Sequence, residues 1–200
     1  MSRLLPLLAL LAGCAPLATA LDPPLGQLAR WDGASDATIA AEPVACPPGH
    51  AACARLHARR AEACMRLAME GRAPGAACPG SVAHLDCAAQ GYAAARALAP
   101  HPALAQGEAQ ARLCHAAFLP RAQAATEAAR ARDAASAAPV ESRGWLRARA
   151  ALVLSHPAIG NLSANCAAAR AGLAEAPPGG PEARDLATRI ATLPGCGDAP

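Results

Sequence analysis

From residue 50 onward, apolar and polar residues follow the three- and four-residue spacing of amphipathic helices. The apolar face of the first such stretch, 51–70, carries Cys53, Leu56, Arg60, Cys64, Leu67 and Ala68. Prolines and glycines interrupt the pattern at intervals, because neither residue continues a helix readily. They divide the chain into seven predicted helices, at 51–70, 82–99, 103–118, 121–137, 142–155, 161–175 and 182–193.

The composition agrees with this helical pattern. Sixty of the 200 residues are alanine, while phenylalanine, tyrosine and tryptophan together number four. Alanine has the highest helix propensity of all residues, and its small side chain lets helices pack closely. The sequence therefore predicts an all-α fold of antiparallel helical hairpins.

The second helix of each predicted pair ends at a proline. These prolines are Pro100, Pro139 and Pro177, which are 39 and 38 residues apart. A repeat of this length made of two helices is typical of an α-solenoid.

The second predicted helix also carries an internal pattern. Ala88, Tyr92, Ala95 and Pro100 provide a small residue, an aromatic four positions later, a small residue three later and a proline five later. This segment resembles the second helix of a tetratricopeptide repeat, and the segments 127–139 and 165–177 match it in part. The period exceeds the roughly 34 residues of that family, and the family's first-helix pattern is not recognisable. The resemblance implies a short solenoid whose odd-numbered helices line a concave surface; an irregular disulfide-linked bundle is the alternative.

The start of the chain resembles a bacterial lipoprotein signal peptide. Arg3 precedes the apolar run 4–11, and residues 11–14 read Leu-Ala-Gly-Cys. The resemblance implies removal of residues 1–13 and attachment of lipid to Cys14. The alternative is a plain secretory signal cut near residues 18–20. Ala15 is not the aspartate that retains lipoproteins at the inner membrane, so the resemblance favours the periplasmic face of the outer membrane.

A segment without periodicity follows the predicted signal. Residues 15–45 contain four prolines and two glycines among short polar and apolar pieces. We expect residues 14–45 to form a lipidated, flexible tether and residues 46–200 to form the helical repeat domain. Trp31 either docks onto that domain or stays partly exposed in the tether.

Cysteine usage is consistent with export. Apart from Cys14, eight cysteines remain: Cys46, Cys53, Cys64, Cys78, Cys87, Cys114, Cys166 and Cys196. An even number in an exported chain predicts four disulfides, although 105 pairings are formally possible.

Hairpin geometry narrows the pairing. Antiparallel helices align residues whose numbers have a constant sum, which places Cys64 opposite Cys87 and Cys166 near Cys196. Cys114 competes with Cys64 for Cys87 in this scheme. With Cys46–Cys53 as a local loop, Cys78–Cys114 remains by elimination.

Two constellations suggest chemistry. Cys46, His50 and Cys53, with Cys64 or His57 as a fourth ligand, contain the donor types of a zinc or copper site. Ser81, His84 and Asp86 lie close in sequence, but a catalytic triad requires convergence in space. We therefore expect no enzymatic activity and no cofactor.

Arginines recur along one side of two odd-numbered predicted helices. They are Arg55, Arg59 and Arg66 in the first, and Arg143 and Arg147 in the fifth. Such a row predicts a groove for acidic or carboxylate-ended peptides, with a solvated helix face as the alternative. The net charge of only +3 does not indicate nucleic-acid binding.

Together these patterns predict an exported, lipid-anchored, non-catalytic adaptor. Its partner would be an envelope protein or a cell-wall component. A metal-handling protein that uses cysteine and histidine ligands is the alternative.

Overall fold

The computed structural model describes residues 21–70, 72, 78 and 81–196, and in this part of the chain all regular structure is helical. The helices are α1 (Pro23–Trp31), α2 (Asp36–Ala41), α3 (Cys53–Glu70), α4 (Val82–Leu98), α5 (Pro102–Ala116), α6 (Arg121–Ser136), α7 (Val140–Leu154), α8 (Leu162–Glu175) and α9 (Pro181–Thr192). The seven predicted helices correspond to α3–α9, with boundaries that differ by at most two residues. Within the described ranges, none of the helices combines the length and apolarity needed to cross a bilayer.

Local sequence explains why these helices begin where they do. Asn161 caps α8, because its side-chain oxygen accepts a hydrogen bond of 2.7 Å from the amide of Ala164. Pro102 and Pro181 occupy the first turns of α5 and α9, where a missing backbone N–H costs nothing. Proline thus both ends one helix and starts the next.

Helices α3–α9 form a stack of antiparallel hairpins. Each helix packs against the next one along the chain, and the odd-numbered helices also contact each other, α5 with α7 and α7 with α9. The odd-numbered helices therefore lie side by side. The predicted fold class, stacked antiparallel helical hairpins fastened by disulfides, is confirmed.

The core between the helices consists mainly of alanine and a few leucines. One cluster joins Leu113, Leu146 and six buried alanines of α5, α6 and α7 with Ala138 at the α6–α7 turn. Glycines allow close approaches between helices: a β-carbon at Gly91 of α4 would lie 2.9 Å from Cβ of Ala61 and 3.1 Å from the carbonyl oxygen of His57, both in α3. At Gly107 of α5, a β-carbon would lie 2.8 Å from the ring of Tyr92. Small residues at these positions set the distances between the helices.

A row of largely buried ion pairs crosses α4, α5 and α6. Glu108 accepts hydrogen bonds from Arg96 (2.7 Å) and Arg112 (2.9 Å), and Arg112 also donates to Glu127 (2.8 Å). Glu108 is 3% exposed, and Arg112 and Glu127 are also buried. Burial by itself lowers the pKa of Arg112, but the hydrogen bonds to both glutamates together with the negative charges of these groups raise it above its ordinary value. These pairs connect α4, α5 and α6. Each buried charge has an opposite charge in contact, which offsets the free-energy cost of removing it from water.

The predicted disulfide pairing is confirmed. Cys46–Cys53, Cys64–Cys87, Cys78–Cys114 and Cys166–Cys196 have Cα–Cα distances of 5.6, 6.0, 5.1 and 5.4 Å. These values lie within the usual range of about 4.4–6.8 Å for disulfides. The second pair joins α3 to α4, and the third joins the α3–α4 connection to α5.

The prediction of a flexible tether over 14–45 is wrong for residues 21–45. These residues form α1 and α2, which pack on α3, and the side chains of Trp31 and Ile39 are buried with Leu56 and Ala63. The reason is apolar area: Trp31 and Ile39 bury enough surface to favour an ordered segment over a solvated one. Polar contacts add to this packing, since Gln27 donates to the carbonyl of Pro43 and accepts from the amide of Ala45.

The helical domain therefore includes residues 21–45, which the sequence assigned to the tether. The predicted signal (1–13), Cys14 and residues 15–20 of the predicted tether lie outside the described residues.

The close contact at Gly91 generates a stability prediction. Replacing Gly91 by alanine should lower the free energy of unfolding by about 1–2 kcal/mol, because overpacking against the α3 backbone costs ~1–3 kcal/mol and outweighs the better helix propensity of alanine. Urea denaturation measures the change, with the neighbouring exposed position as control: Gln90→Ala should shift the value by at most about 0.5 kcal/mol. A Gly91→Ala protein as stable as the parent would contradict the close approach.

Candidate binding hollow between the odd-numbered helices

The predicted groove arginines of α3 serve a different purpose. Arg66 donates two hydrogen bonds to Asp36, at 2.7 and 2.6 Å, and Arg59 donates to the carbonyl of Trp31 at 3.0 Å. Both guanidinium groups thus fasten the N-terminal segment (21–46) to α3, and Arg55 remains exposed beside them. α1 and α2 cover part of this side, so Arg59 and Arg66 have partners within the chain, and the groove for a peptide stays a prediction.

The two arginines predicted for the same groove in α7 are also engaged within the chain. Arg147 pairs with Glu175 at the end of α8 (2.8 Å), and Arg143 donates to the carbonyl of Ala138 at 2.9 Å. Nε of each arginine is buried without a hydrogen-bond partner. Both side chains therefore have partners at the junction of α6, α7 and α8, and their part in a groove also stays a prediction.

A different set of side chains surrounds a cavity where α3, α5 and α7 meet. This cavity, called the hollow below, has a volume of about 200 Å³. Its lining residues are Met65, Met69, Arg72, Gln110, Cys114, Trp145 and Arg149. Met69 is 39% exposed and Arg72 is also exposed, so the hollow reaches the surface.

Arg149 is the most unusual residue of the hollow. Its guanidinium carbon lies 5.6 Å from the ring centre of Trp145, within cation–π distance. Its Nη2 lies 3.5 Å from Sγ of Cys78, and no carboxylate of the described residues is within 4.0 Å of it. Burial lowers the pKa of Arg149, and the carboxylate of Glu182 opposes this without cancelling it. The side chain is therefore a partly desolvated cation with no anionic partner in contact.

The lining defines which ligand would fit. Arg149 and Arg72 bring two positive charges, Gln110 adds an amide, and the lining contains no acidic residue. Methionine and tryptophan supply an apolar wall that adapts to different side chains. At about 200 Å³ the hollow is smaller than most drug-binding pockets, so it matches a group the size of one side chain attached to an anion.

The sequence contains a signal for this site that the arginine pattern obscured. Trp145 is one of four aromatic residues, and Arg149 follows it at the i,i+4 spacing that puts both on one helix face. Arg143 and Arg147 have the same four-residue spacing but lie two positions earlier in the chain. Trp145, a rare aromatic residue, therefore indicates the face of α7 that borders the hollow, whereas the arginine spacing does not.

The cysteines and the histidine of the predicted metal site form other bonds. Cys46 and Cys53 form a disulfide with each other. Nδ1 of His50 accepts from the amide of Ala52, and Nε2 lies 3.2 Å from the carboxylate of Asp22. Across the described ranges, no group of three or more histidine, cysteine or acidic residues could hold a metal ion.

The serine–histidine constellation likewise lacks its third member. Ser81 Oγ lies 2.9 Å from Nδ1 of His84, but the carboxylate of Asp86 accepts from the amide of Gln90. The ring is therefore not oriented by a carboxylate as it is in a catalytic triad.

Compared with protein-family models, curated proteins and solved structures, the chain gives no significant match to any of them.

The contacts of the N-terminal segment generate a pH prediction. The hydrogen bonds from Arg66 lower the pKa of Asp36, and those from Arg30 and Trp31 lower the pKa of Glu42. A carboxyl whose pKa is lower in the folded state stabilises the fold above its unfolded value, and this contribution disappears as the pH falls through the folded value. The segment should therefore dock less firmly as the pH falls below about 4.

Urea denaturation of the parent and of Asp36→Asn between pH 6 and pH 3 measures this effect. We expect the variant to be less stable at pH 6, by up to about 1 kcal/mol because the pair is largely exposed, and the difference to shrink towards pH 3. Asp86→Asn, whose carboxylate contacts only an amide, is the control and should show no comparable convergence. A constant difference across the range would contradict the role of the Asp36–Arg66 pair.

Proposed function

We propose that this protein is a non-catalytic adaptor of the bacterial envelope that is anchored by lipid on Cys14. The adaptor binds a partner protein through the hollow. The partner presents a carboxylate next to an apolar side chain. The fold is suited to this role, since stacked helical hairpins offer an extended surface on which a partner can be positioned.

The single observation that carries the proposal is the state of Arg149. A guanidinium that is partly removed from water without a carboxylate partner costs free energy, and a ligand carboxylate would remove this cost with charge-assisted hydrogen bonds. Trp145 holds the group from one side, so it is positioned before any ligand arrives. Such preorganisation lowers the entropic cost of binding.

The cysteines support an exported location. All eight cysteines of the described region are paired, and disulfides of this number persist in oxidising compartments outside the cytosol. The sequence of residues 11–14 adds the proposed lipid anchor, and Ala15 adds the proposed outer-membrane destination.

The metal-handling alternative receives less support. Metal binding by cysteine requires thiolates, and the cysteines of the predicted constellation, Cys46, Cys53 and Cys64, are all in disulfides. His50 has its ring nitrogens engaged, and His57 has its pKa lowered mainly by burial.

The binding proposal is tested with short peptides that end in leucine, prepared with a free or an amidated C-terminus. The chain has two tryptophans, so an NMR spectrum contains two indole N–H signals. The free-carboxylate peptide should shift the signal of Trp145 and leave that of the buried Trp31 in place. Arg149→Met should weaken binding by roughly tenfold or more, since a hydrogen bond to a charged group contributes ~1.5–3 kcal/mol.

Arg55→Met is the matched control, because Arg55 is an exposed arginine outside the hollow. Equal binding of the amidated peptide, or an equal loss in Arg55→Met, would contradict the proposed site. If a peptidoglycan fragment moves the Trp145 signal and no peptide does, the partner is a cell-wall component and not a protein.

The anchor is tested separately in a bacterium that processes lipoproteins. The full chain should partition into the detergent phase, and Cys14→Ala should move it to the aqueous phase, because acyl chains provide the membrane affinity. Cys14→Ala leaves the hollow unchanged, so its peptide binding serves as the control for folding. Detergent partitioning that persists in the variant would refute the anchor.

A further inference from the structure

The Cys78–Cys114 disulfide has a chemical environment that the other three pairs lack. Cys114 lines the hollow, and Sγ of Cys78 lies 3.5 Å from Nη2 of Arg149. In the described part of the chain, no other disulfide sulfur lies in such contact with a guanidinium group. Cys78 is partly buried, whereas Cys114 is 5% exposed and is reached from the hollow that it lines.

The charge of Arg149 changes what this disulfide can do. A cation beside a thiol stabilises the thiolate form, and a disulfide breaks faster when the departing sulfur is a stabilised thiolate. No carboxylate of the described residues is in contact with Arg149, so its charge can act on Cys78. Trp145 fixes the guanidinium group from one side, so a departing sulfur would meet a positioned cation.

We propose that Cys78–Cys114 is a site of thiol–disulfide exchange, whose substrate is a dithiol reductant that enters the hollow. The other three disulfides are structural. This proposal concerns the disulfide alone and does not depend on the proposed partner.

The exchange proceeds in two balanced steps. One thiol of the reductant loses its proton to solvent, and the resulting thiolate attacks Sγ of Cys114; the bond between Cys114 and Cys78 breaks, and its electron pair leaves on Cys78 as a thiolate beside Arg149. The second thiol of the reductant then attacks the reductant sulfur that is bonded to Cys114. The new bond closes the reductant's disulfide, Cys114 departs, and the proton of the second thiol passes to Cys114. The dithiol becomes a disulfide and loses two electrons, which the protein gains as one thiol and one thiolate.

The Cys64–Cys87 pair provides an internal comparison. It also borders a cavity that an arginine lines, in this case Arg60. Nε of Arg60, however, donates to the carbonyl of Ala40 at 3.1 Å, and this group is not in contact with a sulfur of the pair. Both disulfides therefore border a cavity and have an arginine nearby. Of these two disulfides, Cys78–Cys114 is the one whose sulfur contacts the guanidinium group.

The test follows the reduction of each disulfide in the folded, full-length protein. Dithiothreitol is added at neutral pH, samples are acid-quenched and alkylated over time, and peptide mapping identifies the modified cysteines. Cys78 and Cys114 should be modified first, with a rate roughly tenfold above that of any other pair. Arg149→Met should slow their reduction about three- to tenfold, and Arg60→Met should leave the reduction rate of Cys64–Cys87 unchanged.

The direction of the change separates an electrostatic role of Arg149 from a structural one. A loosened fold exposes the disulfide and would accelerate its reduction, so slower reduction in Arg149→Met supports the proposal and unchanged or faster reduction overturns it. Reduction of another pair before Cys78–Cys114 also overturns it.

A monothiol identifies the sulfur that is attacked. A glutathione molecule has one thiol and cannot complete the second step by itself, so at short times acid quenching should trap a mixed disulfide on Cys114 while Cys78 is recovered as the free thiol. A mixed disulfide on Cys78 would overturn the assignment of Cys78 as the leaving group.

Discussion

Close approach of helices through alanine and glycine is the constraint on which the rest of this structure depends. Gly91 meets the backbone of α3, and Gly107 meets the ring of Tyr92, so neither position accommodates a β-carbon at the observed distance. Small side chains pack densely but bury little apolar area each, at about 25 cal/mol per Å². A fold built in this way gains less from its core than one rich in leucine and phenylalanine, and it requires other sources of stability.

Two such sources are visible between the helices. Disulfides join α3 to α4 and the α3–α4 connection to α5, and each restricts the unfolded chain by an amount typically worth about 2–4 kcal/mol. The ion pairs of Glu108, Arg112 and Glu127 lie further along the stack, where α4, α5 and α6 meet. Because a buried charge without a partner is costly, these pairs also favour one relative position of the three helices over others.

The sequence predicted the helices and the disulfides well because both depend on local or nearly local rules. Pro100, Pro139 and Pro177 mark helix ends directly, and the antiparallel arrangement fixes which residues of a hairpin face each other, as it does for Cys64 and Cys87. The N-terminal segment was mispredicted because its composition resembles a linker, whereas its order depends on contacts of Trp31 and Ile39 with a helix farther along the chain. The composition of a segment does not show which distant residues it contacts in the folded chain.

The arginine spacing does not indicate the hollow for a related reason. Arg66 and Arg147 have the spacing of a charged groove, but each finds a carboxylate in another element, Asp36 and Glu175 respectively, and is neutralised there. Spacing in the sequence does not show which arginines have a carboxylate in contact, and several described arginines, Arg149 among them, have none. Arg149 has an aromatic ring and a disulfide sulfur as neighbours in place of a carboxylate. The binding role proposed for the hollow therefore rests on the surroundings of Arg149 in the folded chain, which depend on contacts between several helices and not on any one sequence motif.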